Sequence, residues 1–253
     1  MKILILVIYS ENDNENLNVY QKMVNVQRSY LNNFEGVSSY FIQMRELQNQ
    51  NVEIDDDFIY VKGEEKLLNI MHKTVEAMDY LFNALGSNYD YILRTNISTI
   101  VNIPKLKDYF NNLPKKNVYT GGSILNLNWL DFGSGITDDS LFGTEYAQGT
   151  CIIISKNVVE HMIKYKKNIR YDVVDDISFG VYIKSYIPDA YTNMQKYKTD
   201  KFELVSKLLT PGCIINKDAI YYRNRIDVRK LEHTRYTDVY NMHRIVGILY
   251  DAS

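Results

Sequence analysis

The chain opens on an unbroken apolar run, KILILVIYS (Lys2–Ser10), that ends in small and polar residues. Continuous apolarity over so few positions predicts a central parallel strand buried on both faces. The polar, Asn-rich stretch Glu11–Asn18 reads as a loop. Beyond it Val19, Met23, Val26 and Tyr30 recur at helical spacing, so a helix is expected over Val19–Asn33. Val37–Met44 reads as a second strand, Arg45–Asp57 as a polar loop and Phe58–Val61 as a short strand. The longest helical pattern, Lys62–Leu85, carries Leu67, Ile70, Met71, Met78 and Leu81 mostly on one face, with Gly86 as its stop. A strand over Tyr89–Thr95 then runs into a polar turn.

The second half continues the alternation. Ile103–Asn112, with Pro104 near its first turn, predicts a helix. Val118–Ile124 reads as a strand broken by a Gly-Gly pair, and Leu127–Gln148 as a long irregular loop, which inside a compact domain is usually functional. Gly149–Tyr165 reads as a strand, Ser155 as an N-cap, then a helix. Tyr171–Tyr186 turns helical from about Asp175. Ile214–Arg225 reads as a strand segment ending YYRNR, and Thr237–Tyr250 as a C-terminal helix. Strand–helix alternation with buried first strands predicts an α/β fold, one domain with a mostly parallel sheet flanked by helices. Ligands of such sheets bind beyond the carboxyl ends of the strands. That rule brings Tyr9-Ser10, Arg94–Ser98 and Thr120–Ser123 to one rim.

Composition narrows the partners. The 253 residues carry 29 Lys+Arg against 31 Asp+Glu, a net charge of −2, without the basic excess of a dedicated nucleic-acid binder. The 22 tyrosines are spread through expected core elements without a basic stripe, so they are read as core filling rather than base-stacking platforms. Two distant cysteines, Cys151 and Cys213, and four scattered histidines argue against a structural zinc site; both thiols are read as buried and free, in a reducing compartment. The opening run is too short for a signal peptide, and no 20-residue apolar segment follows. The expectation is a cytoplasmic protein with no transmembrane segment. Frequent Asn, Tyr, Lys and Ile with only 4 Pro suggest an AT-rich genome; a large DNA virus fits, and the location would then be the host cytoplasm.

No GxGxxG follows the first strand, and GxxxxGK[ST], GxSxG and HExxH are absent. Asp175-Asp176 opens a helix at the mouth of a loop. The pair serves either as helix capping and dipole compensation or as a general base taking a proton from an attacking hydroxyl. The loop Asn126–Gln148 sets Trp129, Phe132 and Tyr146 among Asp138, Asp139 and Glu145, which reads either as aromatic loop packing or as a surface for sugar rings.

Four segments together resemble the GT-A-type nucleotide-sugar glycosyltransferases, in particular the beta-1,3-galactosyltransferase and fringe group. They are KILILVIYS, YDYILRTNISTIVN (Tyr89–Asn102), YAQGTCIIISKNVVEHM (Tyr146–Met162) and VVDDISFGVYI (Val173–Ile183), and they cover roughly residues 1–190. The resemblance implies a GT-A (Rossmann-like) domain, with residues 1–102 as nucleotide-binding half and 103–253 as acceptor-binding half. It implies a hexosyl- or pentosyltransferase acting with inversion, moving a sugar from a UDP-linked donor to a glycan acceptor hydroxyl. Asp176 would be the base, with Asp175 beside it. Ile8, Tyr9, Ser10, Lys73, Arg94, Asn96, Ser98 and Arg223 would bind the donor. Trp129, Asp138, Asp139, Tyr146 and Gly149 would bind the acceptor.

At Asn96-Ile97-Ser98 the chain departs from the family, whose metal-using members carry aspartates there. An amide and a hydroxyl supply no charge for a hard cation. The expectation is therefore no cofactor, with Mn2+ or Mg2+ as the alternative. The diphosphate would be met by Arg94, Lys73 and the run Arg223, Arg225 and Arg229, because a guanidinium fork matches a phosphate. A non-catalytic nucleotide-sugar or glycan-binding protein is the competing function, and a nucleotidyltransferase a third; the oligomeric state is left open.

Overall fold

The computed structural model describes residues 1–10, 17–225 and 234–250. In chain order its strands are β1 (Ile3–Ile8), β2 (Val37–Arg45), β3 (Val52–Asp55), β4 (Phe58–Lys62), β5 (Tyr91–Asn96), β6 (Thr99–Val101), β7 (Tyr119–Gly121), β8 (Ile124–Asn126), β9 (Glu145–Ala147), β10 (Cys151–Ser155), β11 (Phe202–Val205) and β12 (Tyr221–Asn224). The helices are α1 (Leu17–Leu31), α2 (Ile70–Asp79), α3 (Ile103–Asn111), α4 (Lys156–Lys164), α5 (Asp175–Tyr186), α6 (Pro188–Thr192) and α7 (Thr234–Tyr250).

Among the described residues a seven-stranded sheet runs β3-β4-β2-β1-β5-β10-β7. Strands β4, β2, β1, β5 and β7 share one direction, and β3 and β10 oppose it. The fold is thus α/β with a mixed, mostly parallel sheet. All six residues of β1 are buried. Ile3, Ile5 and Val7 face a core built with α1, α3 and α7; Leu4, Leu6 and Ile8 face a second core built with α2, α4 and α5. Each fully buried aliphatic side chain here contributes about 1.5–3 kcal/mol, which explains why the central strand reads so plainly as an apolar run. Tyr30, Tyr91, Tyr119, Tyr182 and Tyr222 are fully buried, so core filling accounts for them.

A three-stranded sheet, β11-β12-β6, hangs beyond the end of β5. Strand β6 lies three residues past β5, and β12 pairs with it through Tyr221↔Val101 and Arg223↔Thr99. This small sheet is what carries Arg223 to the rim.

Several boundaries differ from expectation. The polar loop after β2 contains β3, which pairs with β4 around a turn where Asp56 takes a positive φ of 54°. The long helix begins only at Leu67, and its last turn, Tyr80–Ala84, is π-type. The expected strand 118–124 is two strands, parted at Gly122-Ser123. Ser155 does sit at the N-cap of α4, but its hydroxyl bonds Asn157 and accepts from Val118 N–H instead of capping. Strands β6, β9 and β11 and helix α6 lie in segments without a readable period. Cys151 is buried, and burial pushes its thiol up to about 12; Cys213 is only half-buried, beside Thr210, because its segment lies at the surface. Both are free thiols. Among the described residues no helix is long and apolar enough to cross a membrane.

Candidate functional site

The carboxyl ends of β1 and β5 and the start of the antiparallel β10 meet at one rim, and α5 begins above it. A cavity of about 480 Å³ opens there, walled by Arg94, Asn96, Gly149, Asp175, Asp176, Tyr221, Arg223 and Arg225 among others. The cation and the acids that the sequence places 80 residues apart therefore share one cavity.

Arg94 belongs to β5, where the pleat aims it at the rim. Its side chain is buried and forms an ion pair with Asp175, also buried. Its Nη1 donates to the carbonyl of Gly149 and, at 3.1 Å, to Asn96 Oδ1. Among the described residues its Nε is buried without a hydrogen-bond partner. Asp175 and Asp176 form the first turn of α5, whose N-cap is Val174. Neither acid is the cap, and they diverge: Asp175 goes to Arg94, while Asp176 accepts from Ile177 N–H at 2.9 Å and Gly149 N–H at 3.2 Å.

Gly149 thus faces both ways, its N–H on the acid and its carbonyl on the cation. A side chain at this position would meet Arg94 Nη1 at 2.9 Å, so the close approach of peptide and guanidinium requires glycine. Burial, and then the charge of Asp175, raise the Asp176 carboxyl to about 6, against the lowering effects of Arg94 and the two N–H groups. A carboxyl tuned there can accept a proton near neutral pH.

Arg223, on β12, donates from Nη1 to Ser98 Oγ at 2.7 Å. Among the described residues it has no carboxylate in ion-pair contact. Burial, followed by repulsion from Arg235 and Arg225 and, more weakly, Arg94, pushes it down to about 10 against the attraction of Asp238, so it remains charged at neutral pH. Arg225 lies exposed on the same wall. The cavity presents three guanidiniums against two carboxylates, one of them raised. Crowding like charges at a protein's own expense marks a site that expects an anion.

Comparison of the sequence with protein-family models and with curated proteins gives no match. The site is therefore read from its own geometry.

That geometry brings together Arg94, Asn96, Gly149, Asp175, Asp176, Arg223 and Arg225, with Ser98 buried behind Arg223. It sets other expected residues elsewhere. Ile8 is buried in the α2-side core. Tyr9 turns toward Tyr20 and Phe58 and borders a separate cavity of about 320 Å³ on the α1 side. Lys73 is fully buried, 2.6 Å from Glu65 and 2.8 Å from the carbonyl of Tyr9; burial lowers its pKa. Ser10 donates to the same Glu65 at 3.1 Å. Lys73 and Ser10 tie the end of β1 to the approach to α2, and Lys73 is not a cation for the cavity.

Trp129 is exposed against the edge of Tyr146, which is buried in a small cluster with Leu127 and Ile136. Asp138 is exposed, accepting from Ser140 N–H, and Asp139 is exposed beside it. None of these four lines the cavity. Arg229 falls outside the described residues. In place of the Trp129 loop, the structure supplies Phe202, Leu204, Tyr221, Leu67 and Ile70. The only signal for Phe202 and Leu204 was the short alternation of FELV, too brief to read without its pairing partner.

Proposed function

We propose that the chain is a GT-A-type glycosyltransferase that moves a sugar from a nucleoside diphosphate donor, UDP-linked by family resemblance, to a glycan hydroxyl with inversion and without a metal. The observation that carries this reading is the placing of the raised Asp176 carboxyl, held by Gly149 N–H, in one cavity with the Arg223 and Arg225 guanidiniums. A glycosyl transfer needs those two things at opposite ends of the reacting bond.

In this reading Arg223 and Arg225 meet the diphosphate, and the buried Arg94, paired with Asp175, braces the wall behind them. Asp176 takes the proton of the acceptor hydroxyl while its oxygen bonds the anomeric carbon. The bond from that carbon to the phosphate oxygen breaks, its electron pair stays with the departing nucleoside diphosphate, and the guanidiniums offset the charge. Asp175 holds Arg94 in place. The residues do not suit a divalent cation: Asn96 Oδ1 accepts from Arg94, Ser98 Oγ from Arg223, and Asp175 is paired. Among the described residues no three His, Cys, Asp or Glu side chains converge to hold a metal ion.

Calorimetric titration tests the anion grip. In EDTA the wild type is expected to bind both UDP and inorganic pyrophosphate. Arg223→Gln should weaken both by about tenfold, the worth of a charge-assisted bond, and more at low salt. Absence of binding to the wild type, or an unchanged affinity in the variant, would remove the diphosphate from this cavity.

A further inference from the structure

The small sheet sets a tile of four side chains into the cavity wall. Strands β11 and β12 pair in parallel with Phe202 opposite Tyr221 and Leu204 opposite Arg223. Side chains alternate along a strand, so all four stand on one face. The rings of Phe202 and Tyr221 lie 5.2 Å apart and within 4° of parallel. Phe202 is 37% exposed and Leu204 58% exposed, and both line the cavity. Large apolar side chains left open inside a polar site, instead of scattered over the surface, mark a surface meant to be covered.

Resting on the glycosyltransferase reading, we propose that Phe202 and Leu204, with the buried Tyr221 ring stacked behind Phe202, form the acceptor subsite, taking the apolar C–H face of a pyranose ring. A pyranose offers a flat face of C–H bonds edged by hydroxyls, which suits a ring platform beside a guanidinium. The tile's position selects the acceptor over the donor's base. A side chain at Gly122, just past β7, would overlap the Tyr221 hydroxyl, so the tile rests on the β7 end of the rim. Thr199 N–H bonds the carbonyl of Gly121 and ties the approach to β11 to the same corner. Gly149, the partner of Asp176, lies two residues before β10, the neighbour of β7. The acceptor hydroxyl must lie beside Asp176, and this is the platform on that side. Leu67 and Ile70 line the cavity too, from the start of α2, which packs against β2, β4 and α5. The stacked ring of Phe202 is the specificity determinant that the Trp129 loop was expected to supply.

Saturation-transfer NMR with UDP present, on a panel of methyl and 4-nitrophenyl pyranosides, tests the assignment, alongside calorimetry of UDP and pyrophosphate. Wild type is expected to transfer saturation to ring C–H protons of at least one methyl pyranoside. Phe202→Ala should weaken that glycoside about tenfold, Phe202→Trp should retain it, and pyrophosphate affinity should stay within about twofold. Unchanged thermal melting of both variants separates this from misfolding. The subsite is overturned if no methyl pyranoside binds, including the case where only the aryl group is engaged. It is also overturned if Phe202→Ala leaves glycoside binding intact, or weakens UDP while sparing both pyrophosphate and glycosides, which would make the tile a base platform. Wild type that binds neither UDP nor pyrophosphate contradicts the glycosyltransferase reading instead, and the Phe202 dependence of glycoside binding still decides the subsite.

Discussion

Asp176→Asn is expected to bind nucleotide sugar as the wild type does and to transfer it about 10²–10⁴-fold more slowly, the usual contribution of a general base. The same substitution should make the protein more stable at pH 8. The carboxyl titrates near 6 in the folded chain, against about 3.9 when unfolded. A raised acid favours folding while it holds its proton. That advantage is fully present below about pH 4 and is lost as pH rises through 6, where the folded chain must carry a buried charge beside Asp175. Removing the charge should return about 1–2 kcal/mol, discounted for the two N–H bonds that an amide satisfies less well. Thermal melts of both proteins at pH 5 and pH 8 check this: the gap should open at pH 8 and shrink at pH 5. A variant that loses activity while gaining stability is the signature of a residue retained for chemistry.

Arg94→Met is expected to cost about 3–5 kcal/mol of stability, because it leaves Asp175 buried without its partner. In a chain of this size that corresponds to a fall in Tm of roughly 10 °C. The pair is closed on both sides, each side chain about 3% exposed, so water cannot take the place of the guanidinium. Arg94→Met combined with Asp175→Leu should recover most of the loss, since an apolar pair of similar volume removes both desolvation costs. Neither variant should bind diphosphate. Urea denaturation of the two single variants and the double variant measures the coupling. Equal stability of Arg94→Met and wild type would mean that the pair does not hold the rim together.

The parts of this fold that could be read in advance are those in which one residue's role shows in its neighbours. Strand β1 was legible because six consecutive buried positions admit only apolar residues. The start of α5 was legible because two acids follow a loop and precede an apolar stretch, and Arg94 because it closes a strand. The remainder depends on pairings that the sequence keeps far apart. Strand β6 has three residues, and its partner β12 lies some 120 positions on. Without that pairing Arg223 has no visible route to Ser98, and the tile of Phe202 and Tyr221 has no visible face.

Lys73 shows the same limit for charge. Its pattern marks a helix-borne cation, and only the structure shows that Glu65, eight residues earlier, has taken it. Trp129 lies outside the cavity for the opposite reason: aromatic content marks a loop as interesting without saying which way it faces. Asp175 and Asp176 looked equivalent as neighbours. A helix separates consecutive side chains by about 100°, and that rotation gives one acid to Arg94 and leaves the other on the Gly149 peptide.

The central claim is that one cavity joins a metal-free anion grip to a carboxylate base. Its most direct measurement is nucleoside diphosphate release from a panel of UDP-sugars with pyranoside acceptors, in EDTA, from pH 5 to pH 8. The account predicts turnover in the chelator, with kcat/KM falling on the acid side of about pH 6 as Asp176 takes up its proton. Turnover that appears only when Mn2+ or Mg2+ is restored, or a profile that stays flat through pH 6, would contradict it.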